Sequence, residues 1–471
     1  MLVKFTVENY KSIYDKVELD FRIKPKNSDD EESIKNNPFV LKINNDYISK
    51  LCLFYGHNGS GKTNIFEAIL DICLSNSNNN FLNDIYKPNM IYGENEESKF
   101  EIEFYSNVLN ENKSEYSLYN YKLNVKNKEI DDEYKKSIQI TKEILTENGK
   151  IVFERTNNDL VKNTITNDER IVIPSDRTFI TFLMDIYTKE KDEFDNIISY
   201  NKMISSILSA AINKPNYLSI PDFTNVIFNQ MYDILETFNI LDFYIELIKI
   251  ADVGIDNIAF ELDENDQNIY DVKKSMDSLK EDEIKSKKNL SKEEKAIISI
   301  IKNLEFLSSK NDNFIKKRKK AISYRNGKKA PFDEIESDGT KIYAFHMFNI
   351  VTALKEGTLS LHDEFYGVQP DLIKTAFLLF KKNRYKGIEQ TAQFFMTTHD
   401  IMLMDFKYLL LEQIKFVVKE DNKTYVYSAS DIEGLKKENL IENYKNNKLG
   451  AKYFPRAYDL PIKMYVNNNE L

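Results

Sequence analysis

Apolar side chains recur at every second position near the start of the chain, over residues 3–7 and 17–21. This alternation predicts strands with one buried face. Residues 51–55 are continuously apolar, which predicts a strand covered on both faces. Residues 64–74 change to helical spacing, and the predicted helix has one apolar face formed by Ile65, Ala68, Ile69 and Ile72. Strands followed by an amphipathic helix are therefore expected here.

The middle of the chain changes period. An antiparallel sheet is predicted by four alternating segments, residues 99–106, 117–125, 136–142 and 150–155. Residues 179–250 have helical spacing, and one predicted helix contains Ile197, Ile204, Ile207 and Leu208. Residues 265–325 are highly charged and mostly helical in character. They predict an arm that projects from the body, and the alternative is a solvated helical pair without a partner.

The pattern becomes that of a globular domain again after residue 329. Residues 358–361 and 392–396 predict buried strands, and a terminal hairpin is expected from residues 414–418 and 424–427. The chain is therefore divided into three expected units, residues 1–175, 176–328 and 329–471. The second unit is expected to be a mainly helical insertion.

Composition limits the function classes. The 471-residue chain is 42% hydrophobic and carries a formal net charge of −10, so bulk charge does not favour general nucleic-acid binding. Residues 316–320 form a local basic patch, for which a solvated surface is the other interpretation. Cys52 and Cys73 lie in apolar surroundings, as buried thiols of a reducing compartment do. No secretory leader or membrane span is expected, and the predicted location is the cytoplasm.

The strongest motif is Gly-His-Asn-Gly-Ser-Gly-Lys-Thr at residues 56–63, a complete phosphate loop. It follows an apolar strand and opens an amphipathic helix, whose N-terminus favours anions. Lys62 is expected to reach the β- and γ-phosphates, and Thr63 to hold Mg²⁺. The nucleotide-binding residues expected around this motif are Gly56, Asn58, Gly59, Ser60, Gly61, Lys62, Thr63 and Asn64.

Two further segments carry candidate chemistry. Asp363 and Glu364 end an apolar strand downstream of the phosphate loop. In phosphate-loop enzymes the first carboxylate holds Mg²⁺ through water, and the second polarises the attacking water. His399 follows another apolar strand, where it is expected to contact the γ-phosphate and orient water. The remaining histidines are interpreted as a variable loop position or as packing residues: His57, His346 and His362.

The motifs together resemble the ABC ATPase superfamily, in its RecF- and SMC-like branch. Residues 5–12 resemble the N-terminal strand and motif of that branch, and residues 336–341 resemble its signature motif. Within that branch, the sequence resembles most the AAA family ATPases of bacterial abortive-infection systems. The similar segments are the signature-like motif and residues 397–400, 412–419 and 443–451. The resemblance covers residues 1–110, 250–260 and 330–455.

This resemblance implies an α/β fold, an ABC-type phosphate-loop head with a mixed sheet, flanking helices, an antiparallel β subdomain and a helical insertion. It implies ATP and Mg²⁺ as ligands, with Lys11 and Ser12 beside the nucleotide. A second copy of the chain would complete the site through Ser337, Gly339 and Thr340. A phage-derived trigger and a separate toxic effector are the implied partners, and no intrinsic nuclease is expected.

Two departures from the family pattern bear on hydrolysis. Residues 367–370 replace a Ser-Leu-His-Pro-like stretch, and no glutamine is evident for the loop that senses Mg²⁺. Two alternative functions stay open. The first is a RecF- or SMC-like ATPase that clamps DNA, and the second is an ATP-gated scaffold with little hydrolysis.

Overall fold

The computed structural model describes twelve segments of the chain, residues 1–75, 85–109, 115–128, 137–166, 171–187, 191–205, 208–210, 231–251, 254–262, 319–382, 384–385 and 388–451. The predicted arm at residues 265–325 lies outside the described residues as far as position 318. The same is true of most of the basic patch at residues 316–320.

The described strands fall into five sheets. In chain order they are β1 Leu2–Glu8, β2 Val17–Asp20, β3 Val40–Ile43, β4 Asp46–Ser49, β5 Leu51–Tyr55, β6 Ser98–Ser106, β7 Ser117–Lys128, β8 Ser137–Glu147, β9 Lys150–Thr156, β10 Asp159–Asn163, β11 Leu208–Ala210, β12 Asn257–Leu262, β13 Lys319–Arg325, β14 Lys328–Pro331, β15 Leu359–Asp363, β16 Arg384–Tyr385, β17 Ile388–Glu389, β18 Gln393–Thr398, β19 Ile414–Glu420 and β20 Lys423–Ser428.

Helices accompany these strands along the described chain. They are α1 Ser28–Asn36, α2 Lys62–Leu74, α3 Phe179–Ile186, α4 Lys191–Ser205, α5 Leu241–Ala251, α6 Phe332–Ile335, α7 Asp338–Glu356, α8 Pro370–Leu378 and α9 Lys437–Lys445. Within the described ranges, no helix combines the length and apolar character that crossing a bilayer requires.

A six-stranded sheet forms the centre of the fold, in the order β11-β15-β18-β5-β19-β20. All neighbouring strands are parallel except the final β19–β20 hairpin. Because parallel strands end at the same edge, the ends of β5, β15 and β18 lie together. Asp363 pairs with Thr397, and Thr398 pairs with Tyr55. This register brings the phosphate loop, the acidic pair and His399 to one edge of the sheet.

Both faces of this sheet are covered, as the continuous apolar run of β5 predicts. Cys52 and Phe54 join a core shared with α2 and the seven-stranded sheet. Leu51, Leu53 and Tyr55 point the other way, into a core shared with α5, α7 and α8. All five side chains of β5 are buried. The period-two geometry of the strand therefore divides its residues between two hydrophobic cores.

The seven-stranded sheet has the order β10-β9-β8-β7-β6-β1-β2, and its neighbouring strands are antiparallel. The alternating segments predicted from the sequence thus form one sheet together with the first two strands. Its buried face packs on α2, α3 and α4. An α/β architecture with an antiparallel β subdomain is confirmed.

Two expectations for the middle of the chain are wrong. Residues 319–325 were assigned to the charged arm, but they form β13, which pairs with β12 and β14. Asn326 and Gly327, with φ of 50° and 73°, supply the turn of the β13–β14 hairpin. One helix is expected to contain Ile197 and Leu208, yet α4 ends at Ser205 and Leu208 begins β11. Ile207, expected in the same helix, lies outside the described residues. Pairing with β15 overrides local helical spacing there.

A buried ion pair lies within the antiparallel sheet, and one of its members also binds the N-terminus of α3. Arg155 and Glu143 are fully buried, with Nε and Oε2 3.1 Å apart. Glu143 also accepts hydrogen bonds from the Tyr121 hydroxyl and the Phe179 backbone N–H, both at 2.9 Å. Burial raises the pKa of Glu143, and the Arg155 guanidinium opposes this shift. The carboxylate thus holds the N-terminus of α3 against the sheet.

Replacing Arg155 with Met is expected to lower the free energy of unfolding by about 3–5 kcal/mol, because Glu143 loses its counter-charge in the core. Urea unfolding followed by circular dichroism measures the change. The matched control is Lys122→Met, which breaks the half-buried Lys122–Glu101 pair (3.1 Å) at the surface of the sheet and is expected to cost less than about 1 kcal/mol. Equal losses in the two variants would contradict this account of the pair.

Candidate functional site

The phosphate loop follows directly on β5 and leads directly into α2. The helix begins at Lys62, two positions before the predicted start, and Gly61 precedes it with φ of 108°. A Cβ at Gly61 would lie 2.3 Å from Oγ1 of Thr424 and 2.8 Å from Oγ of Ser12. A Cβ at Gly56 would lie 2.3 Å from the Val417 carbonyl oxygen. Close packing therefore requires glycine at both positions, and the backbone angle also requires it at Gly61.

Replacing Gly61 with Ala is expected to lower ATP affinity at least about tenfold, since the new methyl group both strains the backbone and displaces Thr424. Isothermal titration calorimetry measures this. The control is Gly149→Ala in the β8–β9 turn, where φ is also positive (77°) but no atom lies within 4 Å of the added Cβ. If both variants bind ATP as the wild type does, the close packing behind Gly61 is unimportant for the loop.

Lys62 is the centre of a compact cluster of charged and polar groups. Its Nζ donates to the Gly56 carbonyl at 2.9 Å and lies 2.9 Å from Nε2 of His399. The same His399 nitrogen is 3.1 Å from Oε1 of Glu364, which is 3.8 Å from the lysine Nζ. Burial lowers the pKa of Lys62, while Glu364 and Asp363 oppose the shift. The structure thus brings three of the residues predicted for phosphate chemistry into direct contact.

Glu364 has an unusual backbone and a perturbed carboxylate. Its φ is 65°, a left-handed conformation that is uncommon for side chains other than those of asparagine and aspartate. Burial acts to raise its pKa, but hydrogen bonds from His399 and Tyr366 outweigh this and hold the pKa below its ordinary value. Glu364 is therefore an ionised carboxylate at neutral pH.

Asp363 is held by two threonines. The Thr63 hydroxyl donates to its Oδ2 at 2.8 Å, and the Thr397 hydroxyl donates to its Oδ1 at 2.7 Å. A carboxylate and a hydroxyl that contact each other at a phosphate loop are hard oxygen donors of the kind Mg²⁺ prefers. The donor set predicted for Mg²⁺, Thr63 and Asp363, is thus compatible with that ion.

A cavity of 310 Å³ opens over the loop. Ser60, predicted to bind the nucleotide, does not line this cavity, and its Oγ is buried without a hydrogen-bond partner among the described residues. Tyr366 and Lys419 also line the cavity, although neither was predicted as a site residue. The other lining residues are Ser12, Asn58, Gly59, Gly61, Lys62, Thr63, Asn64, Asp363 and Glu364.

The N-terminal motif supports the loop from the side. Ser12 Oγ accepts a hydrogen bond from Asn64 at 2.6 Å and lies 2.8 Å from Oγ1 of Thr424. Thr424 also donates to the Ser60 carbonyl at 2.8 Å. Lys11 forms an ion pair with Glu67 on α2 and lines a second cavity of 730 Å³, which shares Ser12 and Lys419 with the first. No sequence motif pointed to Thr424, which the β19–β20 hairpin brings to this position.

The signature-like residues lie at the start of α7 and do not line the phosphate-loop cavity of their own chain. Ser337 caps the helix, and its Oγ accepts from the Thr340 backbone N–H at 3.2 Å. A Cβ at Gly339 would lie 2.8 Å from the carbonyl oxygen of Gly367, three positions beyond Glu364. The start of α7 therefore contacts the loop that follows the acidic pair.

Comparison with known proteins gives the following matches. The profile of a family described as "AAA domain, putative AbiEii toxin, Type IV TA system" matches residues 51–405. No curated protein matches the chain.

Among solved structures the chain is similar to three Smc head domains. One, from Pyrococcus furiosus, carries an extended coiled coil and is bound to the C-terminal domain of ScpA. It is 12% identical, with 95% of this chain and 99% of that chain covered and a TM-score of 0.33. The head domain from Thermotoga maritima is 13% identical, with coverages of 91% and 98% and a TM-score of 0.38. The Pyrococcus yayanosii head, with a coiled coil and joint, is 13% identical, with coverages of 94% and 99% and a TM-score of 0.35.

The family match begins at β5 and includes the phosphate loop, the acidic pair and His399. It covers well over half of the chain, and it confirms the resemblance inferred from the motifs. The chain therefore belongs to the family described as "AAA domain, putative AbiEii toxin, Type IV TA system".

Proposed function

We propose that this protein hydrolyses ATP in the presence of Mg²⁺ at the edge of the six-stranded sheet. The observation that carries the proposal is the contact between Lys62, His399 and Glu364 above the N-terminus of α2. These groups supply a cation for the terminal phosphates, an orienting imidazole and an ionised base. The 310 Å³ cavity receives the phosphates, and the adjoining 730 Å³ cavity receives the nucleoside.

In this proposal Glu364 accepts a proton from the attacking water. Its pKa is held low by hydrogen bonds from His399 and Tyr366 despite burial, so the base is ionised at neutral pH. His399 orients that water and contacts the γ-phosphate. Lys62 binds the transferred phosphoryl group, and the loop backbone from Gly56 to Gly61 encloses the other phosphates.

Bound Mg²⁺ would neutralise charge on the β- and γ-phosphates. Thr63 would hold it directly, and Asp363 would hold it through water. Thr397 keeps the Asp363 carboxylate oriented through its hydrogen bond of 2.7 Å. Lys11 and Ser12 lie beside the nucleotide, where Ser12 links the N-terminal strand to Asn64.

The site is completed by a second copy of the chain. Ser337, Gly339 and Thr340 lie at the start of α7 and do not line the phosphate-loop cavity of their own chain. In the proposed dimer they contact the γ-phosphate held by the partner. The helix N-terminus adds positive potential at that contact. ATP binding then joins two heads and hydrolysis separates them, a two-state switch.

The biological role proposed for this switch is phage defence by abortive infection. The family description refers to a toxin of a Type IV toxin–antitoxin system, and the chain would control a separate toxic effector in response to a phage-derived trigger. A nuclease activity of the chain itself is not proposed.

Phosphate release by the purified chain with ATP and Mg²⁺ tests the proposed activity. The expected result is turnover that EDTA abolishes and that Lys62→Ala lowers to background. ATP-dependent assembly without turnover would favour the gated scaffold instead. Salt-dependent binding of duplex DNA that ATP strengthens would favour the DNA-clamping alternative.

A further inference from the structure

Helix α7 contacts the acidic turn on both sides of Glu364. The ring of His346, in the middle of this helix, stacks on Phe365 with centroids 3.8 Å apart and planes at 16°. Nδ1 of the same ring lies 2.9 Å from Nδ1 of His362. His346 therefore contacts the residue immediately after Glu364 and the residue two positions before it.

A hydrogen-bonded chain continues into β15. Nε2 of His362 lies 2.7 Å from Oγ of Ser360, and the His362 ring stacks on Phe394 at 4.5 Å. His346, His362 and Ser360 are all fully buried. Burial lowers the pKa of His346 to about 3, which the Glu364 backbone opposes only in part. Burial also lowers the pKa of His362, so both rings are neutral.

Neutral rings restrict how the chain can be protonated. One of the two Nδ1 atoms must donate and the other must accept. If His362 donates, its Nε2 accepts from the Ser360 hydroxyl and His346 carries its proton on Nε2. That atom is buried without a hydrogen-bond partner among the described residues. Burying two polar rings in an apolar core costs more free energy than burying apolar side chains of the same size. Packing alone therefore does not account for the two histidines.

The backbone of Glu364 supplies the reason for this arrangement. A φ of 65° strains a glutamate, and such strain persists where the surrounding structure enforces the conformation. The stack on Phe365 fixes one side of the turn, and the hydrogen bond to His362 fixes the other. Gly339, at the start of the same helix, also contacts Gly367 farther along the turn.

We propose that His346 is a positioning residue for Glu364, because it binds His362 and Phe365 and so holds the turn that aims the carboxylate at the nucleotide. The proposal rests on the proposed ATPase activity. A carboxylate displaced by about 1 Å loses on the order of a hundredfold in rate. Binding of ATP through the phosphate loop does not depend on the orientation of the Glu364 carboxylate.

The test compares His346→Phe with the wild type. The phenyl ring keeps the stack on Phe365 but removes the hydrogen bond to His362. His346→Leu is tested in parallel and removes the same bond without an aromatic ring. Thr352→Val is the matched control, since Thr352 is a buried polar residue on the same helix whose hydroxyl donates within it, to the Phe348 carbonyl. Measured quantities are kcat, ATP affinity, the affinity for ADP with fluoroaluminate and the melting temperature.

The expected result is a fall in kcat of roughly tenfold or more in both His346 variants, with ATP affinity near the wild-type value. Affinity for the transition-state mimic falls by a similar factor, because that complex requires the aimed carboxylate. Thr352→Val is expected to keep the wild-type kcat, even if it lowers the melting temperature as much as the His346 variants do. His346→Asn, which retains a polar group near the Nδ1 position, recovers most of the turnover.

Two results overturn the proposal while leaving the proposed function intact: wild-type kcat in both His346 variants, or parallel losses of kcat, ATP affinity and melting temperature that Thr352→Val reproduces. Wild-type turnover at background overturns the proposed function, whereas turnover by Glu364→Gln equal to that of the wild type overturns only the role of Glu364 and this inference with it. The wild type and Glu364→Gln are therefore measured in the same series.

Discussion

Replacing Glu364 with Gln is expected to lower kcat for ATP hydrolysis by about 10²–10⁴, the usual contribution of a general base. Glutamine has nearly the same shape, but it cannot accept a proton from water at neutral pH. The variant keeps Lys62 and the phosphate loop, so ATP affinity is expected to stay near the wild-type value. Phosphate release and calorimetric titration of ATP measure the two quantities separately.

The control for this variant is Glu334→Gln, which removes an exposed carboxylate on α6. It changes net charge by the same amount and is expected to leave turnover unchanged. Turnover by Glu364→Gln within a few-fold of the wild type would mean that another group activates water. His399 would then be the next residue to replace, since it lies 3.1 Å from Glu364.

Replacing Ser337 with Arg is expected to abolish turnover while leaving ATP binding by the single chain intact. In the proposed dimer, residue 337 contacts the phosphate held by the other copy, and a long cationic side chain there prevents close approach. The measurement is solution mass by light scattering in the Glu364→Gln background. ATP and Mg²⁺ should raise the mass to a dimer or an even-numbered assembly, and Ser337→Arg should prevent this.

Loss of the helix cap must be separated from loss of the interface, because Ser337 also caps α7. Asn27→Arg is the matched control, since Asn27 caps α1 through a 2.9 Å hydrogen bond from the Asp30 backbone N–H. Either substitution costs about 1 kcal/mol of stability. If Asn27→Arg also prevents assembly, general destabilisation accounts for the effect and the proposed interface does not.

The phosphate loop, the acidic pair and His399 were predictable because each depends on a few consecutive residues that end an apolar strand. Parallel strands then bring these ends together, so the contact of Lys62 with His399 follows from topology. Thr424, Tyr366 and Lys419 were not predictable in this way. Thr424 reaches Ser60 only through the β19–β20 hairpin, and the sequence carries no motif that identifies it.

His346 and His362 show what local sequence patterns cannot predict. His346 and His362 were interpreted as packing residues, and both are indeed buried. Their hydrogen bond joins α7 to β15, and sequence spacing does not specify which helix packs on which strand. The same limit explains β11, whose helical spacing is overridden by pairing with β15. The boundaries of the three expected units stay predictions.

The central claim is that two copies share each nucleotide, and mixing two inactive variants tests it most directly. Lys62→Ala has a defective phosphate loop and an intact signature motif. Ser337→Arg has an intact phosphate loop and a defective signature motif. Each alone should be inactive. An equal mixture should recover turnover, because one site of each mixed dimer combines the intact phosphate loop of the Ser337→Arg chain with the intact signature of the Lys62→Ala chain. A mixture no more active than the two variants measured separately would contradict the shared site.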